Sequence, residues 1–180
     1  MSYDNTIDSF APVKIISTFG ENYFGRYDSV RTGCRAIIVQ DGNILLSYET
    51  VTDQWMIPGG GLEDGESFAE CCVREVGEET GCLIRPSECL FELDEYYEHC
   101  KYIDYYFAGE IIGTAERHLT KREREVGMEP RWIPLADAID IFSRHADWTD
   151  IDEMRRGMYL REYKALCEYA AGCADAQEND

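Results

Sequence analysis

Three carboxylates, Glu75, Glu78 and Glu79, stand at i, i+3 and i+4 within the stretch Phe68-Ala69-Glu70-Cys71-Cys72-Val73-Arg74-Glu75-Val76-Gly77-Glu78-Glu79-Thr80. At about 100° per residue a helix gathers them into one arc, beside an apolar arc of Ala69, Cys72, Val73 and Val76. Like charges so placed weaken a helix by roughly a few tenths of a kcal/mol per pair unless a cation stands among them. Carboxylate oxygens with water in the remaining positions suit the hard ion Mg²⁺, which binds through few carboxylates together with substrate phosphates. Ca²⁺ wants more oxygen ligands, and its loop pattern is absent. Without a metal the same three residues would be a solvated acidic face.

The elements that must position these carboxylates carry local signals. Ser67 followed by Glu70 is a capping-box pair, and Gly81 supplies a left-handed stop, so the chain predicts a helix from about Phe68 to Thr80. A loop, Gly60-Gly61-Leu62-Glu63-Asp64-Gly65-Glu66, leads into it.

Taken together, loop and helix resemble the Nudix box, G-x5-E-x7-R-E-U-x-E-E-x-G-U, where U is a bulky aliphatic residue. Gly60, Glu66, Arg74, Glu75, Val76, Glu78, Glu79 and Gly81 fill their places, and only the last position departs, as Cys82. Cys is small but apolar, so the departure reads as a packing change. Trp55-Met56-Ile57-Pro58-Gly59-Gly60 is similar to the strand and loop that enter the box in this family, and the resemblance runs from Gly33 to about Phe142.

The resemblance implies an α/β fold, a Nudix-type α/β/α sandwich with a mixed β-sheet, here with an added C-terminal helix. It implies Glu75, Glu78, Glu79 and the Gly59 carbonyl as metal ligands, Arg74 as the group that orients them, and Glu66 as a support of the loop. The activity implied is Mg²⁺-dependent hydrolysis, with Mn²⁺ as a substitute, of a pyrophosphate bond in a nucleoside diphosphate linked to X. A carboxylate must take the proton of the attacking water. It comes from the box, as Glu78 or Glu79, or from a distant loop, where Glu125 and Glu129 are the candidates. Two other readings are a catalytically silent Nudix-like nucleotide-binding or regulatory module and a different diphosphate reaction, such as isoprenoid isomerisation, on the same scaffold. The intact carboxylate trio and the complete box argue against both.

The whole chain sets further bounds. At 180 residues with 44% apolar content it fits one domain with a sizeable core. Seventeen Lys and Arg against 36 Asp and Glu give a net charge of −19, which disfavours a broad grip on nucleic-acid phosphates. The expected partner is a small anionic molecule brought in by metal. No apolar leader follows Met1, and two of the eight cysteines, Cys71 and Cys72, are adjacent inside the predicted helix, so reduced thiols and a cytoplasmic location are expected. The cysteines form no C-x-x-C pair and His99, His118 and His145 are scattered, so no zinc site is expected. No apolar run is long enough to span a bilayer.

The remaining stretches divide into an extension (1–32), a Nudix domain (33–145) and a C-terminal helix with a frayed tail (146–180). Residues 1–11 read as loose, and Pro12 to Thr18 as a strand that pairs at a sheet edge or packs on a partner subunit. Cys34 to Gln40 and Asn43 to Tyr48, joined by Asp41-Gly42, predict a hairpin, followed after the box by strands at Leu83-Arg85, Cys89-Leu93 and Tyr102-Phe107. Tyr96, Tyr97, Tyr102, Tyr105 and Tyr106 fill a core or sheet face, with one or two available to stack on a substrate ring. Thr114 to Gly127 reads as a charged loop over the site, in which Lys121, Arg122 and Arg124 touch phosphates or lie at the surface. Arg35 and Lys101 likewise offer phosphate contacts or point to solvent. Arg131-Pro134 and the helix Leu135-Phe142 close the domain, and residues 151–171 form an amphipathic helix with a stripe of Tyr159, Leu160, Tyr163, Leu166, Cys167 and Ala170. That helix packs on the domain or on a second copy in a homodimer.

Overall fold

The computed structural model describes residues 14–178, with side chains through residue 174. The loose 1–11 stretch, the first two residues of the Pro12–Thr18 strand and the last of the tail lie outside the described residues. The strands are β1 (Lys14–Phe19), β2 (Ser29–Ile37), β3 (Val39–Gln40), β4 (Asn43–Glu49), β5 (Gln54–Met56), β6 (Gly59–Gly61), β7 (Cys82–Tyr96), β8 (Cys100–Thr114) and β9 (Met128–Pro134). The helices are α1 (Phe68–Thr80), α2 (Lys121–Glu125), α3 (Leu135–Ser143) and α4 (Glu153–Glu178), with a 3-10 turn at Arg144–Trp148.

Helix α1 has the predicted limits. The Glu70 carboxylate accepts the Ser67 N–H at 2.8 Å while the Ser67 hydroxyl accepts the Glu70 N–H at 3.3 Å. At the other end Gly81 sits at φ 76°, where a side chain would be strained.

One mixed sheet runs β1-β7-β8-β2-β6, with β1–β7 and β2–β8 parallel and the other pairs antiparallel. In the second sheet β4 pairs antiparallel with β3, β5 and β9. The expected edge strand is β1, which pairs with β7 of its own chain.

Two strand expectations are corrected. The Asp41-Gly42 turn forms, with positive φ at both residues, but only β3 pairs back across it. Residues up to Ile37 belong to β2 in the other sheet, and the chain changes sheets at Ile38, whose carbonyl accepts the Leu45 N–H at 3.0 Å. The segments Leu83-Arg85 and Cys89-Leu93 are parts of one strand, β7, interrupted by register shifts around Pro86. Proline has no N–H to give a ladder, and a bulge absorbs it without ending the strand.

Strand alternation divides the core into two layers. Ala36, Ile38, Leu45 and Phe107 face α1 and pack with Cys71, Cys72 and Val76. Ile37, Ile44, Leu46 and Tyr106 face the other way, toward Ala138 and Phe142 of α3 and Tyr159, Ala165 and Leu166 of α4. The result is the α/β/α sandwich. Helix α4 therefore seats in the core of its own chain, and its buried side is wider than the predicted stripe. Arg156, Arg161 and Glu162 are buried, whereas Cys167 is exposed. All eight cysteines are free, and no described helix is long and apolar enough to cross a membrane.

Candidate active site

The entry loop and α1 meet through Arg74. Its guanidinium forks onto both oxygens of Glu66, at 2.8 and 2.9 Å, and also donates to Glu75 at 2.8 Å, Glu78 at 3.4 Å and the Gly61 carbonyl at 2.9 Å. These hydrogen bonds hold the Glu66 carboxyl below its ordinary range. Glu66 also accepts the Glu63 N–H at 3.1 Å, which closes the loop upon itself. A planar cation thus fixes two members of the acidic trio relative to the loop.

Glycine lets the loop come this close. A Cβ at Gly60 would overlap the Glu75 carboxylate. Burial outweighs the pull of Arg74 and raises the Glu75 carboxyl above its ordinary range.

Glu79 points inward. Its Oε2 accepts the Ser47 hydroxyl of β4 at 2.7 Å and the Gly59 N–H at 3.4 Å. Burial pushes its carboxyl up to about 8, with Ser47 and Arg35 opposing. Gly59 and Glu79 lie on the wall of a cavity of about 760 Å³, together with Arg35. Arg35 is itself held by Asp104 at 3.2 Å and by the Ile57 carbonyl at 3.1 Å, so it points to the cavity floor and not to solvent.

Of the predicted metal ligands and catalytic residues, Gly59 and Glu79 lie on this wall, while Glu75 and Glu78 gather at Arg74. Glu125 and Glu129 do not line the cavity. Glu125 is exposed and pairs with Lys121 at 3.8 Å, and Glu129 accepts from Arg131 at 2.7 Å. Lys101 is bound to Asp94 at 2.7 Å and is not at the cavity. The stretch expected as a charged loop carries the short helix α2, whose Arg122 and Glu123 line the cavity, with Arg122 paired at 2.9 Å to Glu49, a fully buried carboxylate on β4.

A NUDIX domain model matches residues 30–155. The chain belongs to the NUDIX family. Among its relatives, human diphosphoinositol polyphosphate phosphohydrolase NUDT4B is 29% identical over 135 residues, covering 74% of this chain and 68% of that protein. The Bos taurus diphosphoinositol polyphosphate phosphohydrolase 3-beta is 30% identical over 108 residues, covering 59% of this chain and 63% of the relative. The chain thus spans about two thirds of the length of these NUDIX relatives. A NUDIX hydrolase from Nitrosomonas europaea superposes with a TM-score of 0.59 at 23% identity, over 79% of this chain and 89% of that one, which establishes the shared fold.

NUDIX hydrolases generally use a divalent metal. Among the described residues no three His, Cys, Asp or Glu side chains converge into a ready metal cage, because Glu75 and Glu78 lean on Arg74 while Glu79 turns to Ser47. The donor set nonetheless fits a hard cation. It is all oxygen, and Glu79 is a buried carboxylate with no ion pair among the described residues, a group that a divalent charge would compensate.

Sequence reading missed Glu49, Glu95, Arg161 and Met158, whereas of its tyrosine cluster Tyr97 and Tyr102 do line the cavity. Met154 and Met158 at i and i+4 in a charged stretch were the available signal, since apolar residues at that spacing share one face of a helix.

Proposed function

We propose that this NUDIX protein is a Mg²⁺-dependent pyrophosphohydrolase acting on a nucleoside diphosphate linked to X, with Mn²⁺ as a substitute ion. The observation that carries this reading is the Arg74 hub, which ties Glu66, Glu75 and Glu78 to the loop beside the cavity that Glu79 enters. Glu75, Glu78, Glu79 and the Gly59 carbonyl would hold the metal. When bound, it would neutralise diphosphate oxygens and make a water acidic enough to attack.

The chain's own residues do the rest. Arg74 keeps Glu75 and Glu78 from splaying apart under mutual repulsion. Arg35, fixed at the cavity floor, offers positive charge to a phosphate. Glu78 is the most exposed of the trio and takes the water's proton. Tyr97 and Tyr102, edge to face at 5.9 Å, share the cavity with Met56 and Met158 and offer a planar base an apolar, polarizable surface.

Diphosphoinositol polyphosphate, named for the relatives, is the second reading. Such a ring carries many phosphates and needs many free cations. Of the four arginines lining the cavity, Arg122 is paired with Glu49, Arg161 with Glu95 and Glu162, and Arg35 with Asp104, and only Arg155 has no ion pair among the described residues. This favours the nucleoside substrate. The net charge of −19 disfavours nucleic acid as substrate, and eight free cysteines favour the reducing cytoplasm.

The test is purified protein with Mg²⁺ or Mn²⁺ against a panel of nucleoside diphosphate derivatives and a diphosphoinositol polyphosphate, reading released phosphate or monophosphate. Metal-dependent cleavage of the nucleoside compounds is expected. Activity on none of the panel moves the weight to a silent binding module.

A further inference from the structure

The matched family domain ends at residue 155, and α4 runs on from Glu153 to Glu178. This helix does more than cover the sheet. Met154, Met158 and Arg161, on successive turns, line the same cavity as Gly59 and Glu79.

Its placement is set by buried polar contacts. Glu162, fully buried, accepts the Tyr106 hydroxyl at 3.2 Å, the Ile57 N–H at 3.4 Å and Arg161 at 2.7 Å. Arg161 reaches across to Glu95 at 3.1 Å, and Glu95 accepts the Tyr97 hydroxyl at 2.9 Å. Apolar packing alone would let a helix slide or rotate, whereas buried ions demand their partners. The contacts reach both arms of the β7–β8 hairpin and the link between β5 and β6 that leads into the box.

Two further features tie the helix to the ring end of the cavity. Gly157 lies under Tyr97, and a Cβ there would overlap its hydroxyl, so the glycine lets the ring rest directly on the helix. Met158 accepts a hydrogen bond from Gln54 of β5 at 3.6 Å, which ties its sulfur to a second residue of the cavity lining.

We propose that α4 is a substrate-recognition element added to the family domain, in which Met154 and Met158 contact the planar base of a nucleoside diphosphate while Gly157 and Arg161 position Tyr97 beside it. This rests on the nucleoside reading above. Thioether side chains are flexible and polarizable, and they pack well against aromatic rings without demanding one hydrogen-bond pattern. The wall therefore selects for a ring and tolerates differences among bases.

The experiment is calorimetric titration of the full chain, in Mg²⁺, with α,β-methylene-ADP and with methylenediphosphonate, the same kind of anion without nucleoside. The double variant Met154→Ala, Met158→Ala is expected to weaken the nucleotide analogue about tenfold, the scale of a lost apolar contact in a binding pocket. The ringless anion is expected to bind that variant as it binds the original. Met154→Leu, Met158→Leu restores most of the loss. Equal weakening of both ligands, unchanged nucleotide affinity, or an original protein that binds the nucleotide no better than the ringless anion overturns the proposal. Turnover is assayed in parallel. A protein that binds the nucleotide through these methionines yet cleaves no diphosphate refutes the hydrolase reading and leaves this one standing.

Discussion

The two oxygens of Glu66 take the Nε and Nη2 of Arg74 at 2.8 and 2.9 Å, a planar fork that joins the loop to the helix eight residues later in the chain. Lysine can supply the charge but not the fork. Arg74→Lys and Glu66→Gln are therefore expected to reduce kcat about 10- to 100-fold, the usual cost of losing a group that orients metal ligands. Steady-state kinetics with circular dichroism checks this, and unchanged kcat in both variants would refute the orienting role.

Glu78 is the most exposed member of the trio, and Glu125 and Glu129 pair with Lys121 and Arg131 and do not line the cavity. Glu78→Gln is expected to lower Mg²⁺-dependent hydrolysis by about 10² or more while preserving the fold. Glu125→Gln and Glu129→Gln are expected to stay within about threefold of the original, since each loses only a surface pair. A kcat collapse in either of these two places the proton acceptor in the loop region instead.

Burial raises the Glu79 carboxyl to about 8 from an ordinary value of 4.5. The unfolded chain gives up that proton at lower pH than the fold does. The protonated carboxyl therefore contributes stability that is complete below pH 4.5 and is lost as pH rises through about 8. In EDTA, Tm is expected to fall between pH 5 and 9, and Glu79→Gln is expected to flatten that slope. Added Mg²⁺ is expected to raise Tm more at pH 8.5 than at pH 6, because binding the ion requires the ionised carboxylate. A Tm profile in EDTA that is flat or rising over this range is the contrary result.

Gly157→Ala brings a methyl group onto the Tyr97 hydroxyl. The gain in helix propensity, about 1 kcal/mol, is outweighed by overpacking of about 1–3 kcal/mol and by displacement of the ring from the cavity. A lower midpoint in urea is expected, with partial recovery when Tyr97→Phe removes the overlapping oxygen. A more stable Gly157→Ala protein would mean that α4 and Tyr97 are not in the contact described.

Periodicity and capping alone place α1, because both end signals are made of residues within four positions of the bonds they form. The same locality makes the Asp41-Gly42 turn readable, and the tight spacing of the box makes the acidic trio readable. Which strand the turn serves was not readable, since Ile37 and Ile38 are equally apolar and only packing assigns them to opposite layers.

The chain by itself determined the catalytic family, the helix that carries its carboxylates and the acidic character that shapes its choice of ligand. Three-dimensional packing alone determined the cavity. Nothing local in the chain marks Glu95, Asp104, Arg161 and Glu162 for burial, yet they are buried because Arg161 of α4 meets Glu95 of β7 and Asp104 of β8, and Arg35 of β2 reaches Glu162 at 3.9 Å. Charge pairing over such separations leaves no periodic trace in a sequence. It becomes visible only once β7, β8 and α4 have been brought together.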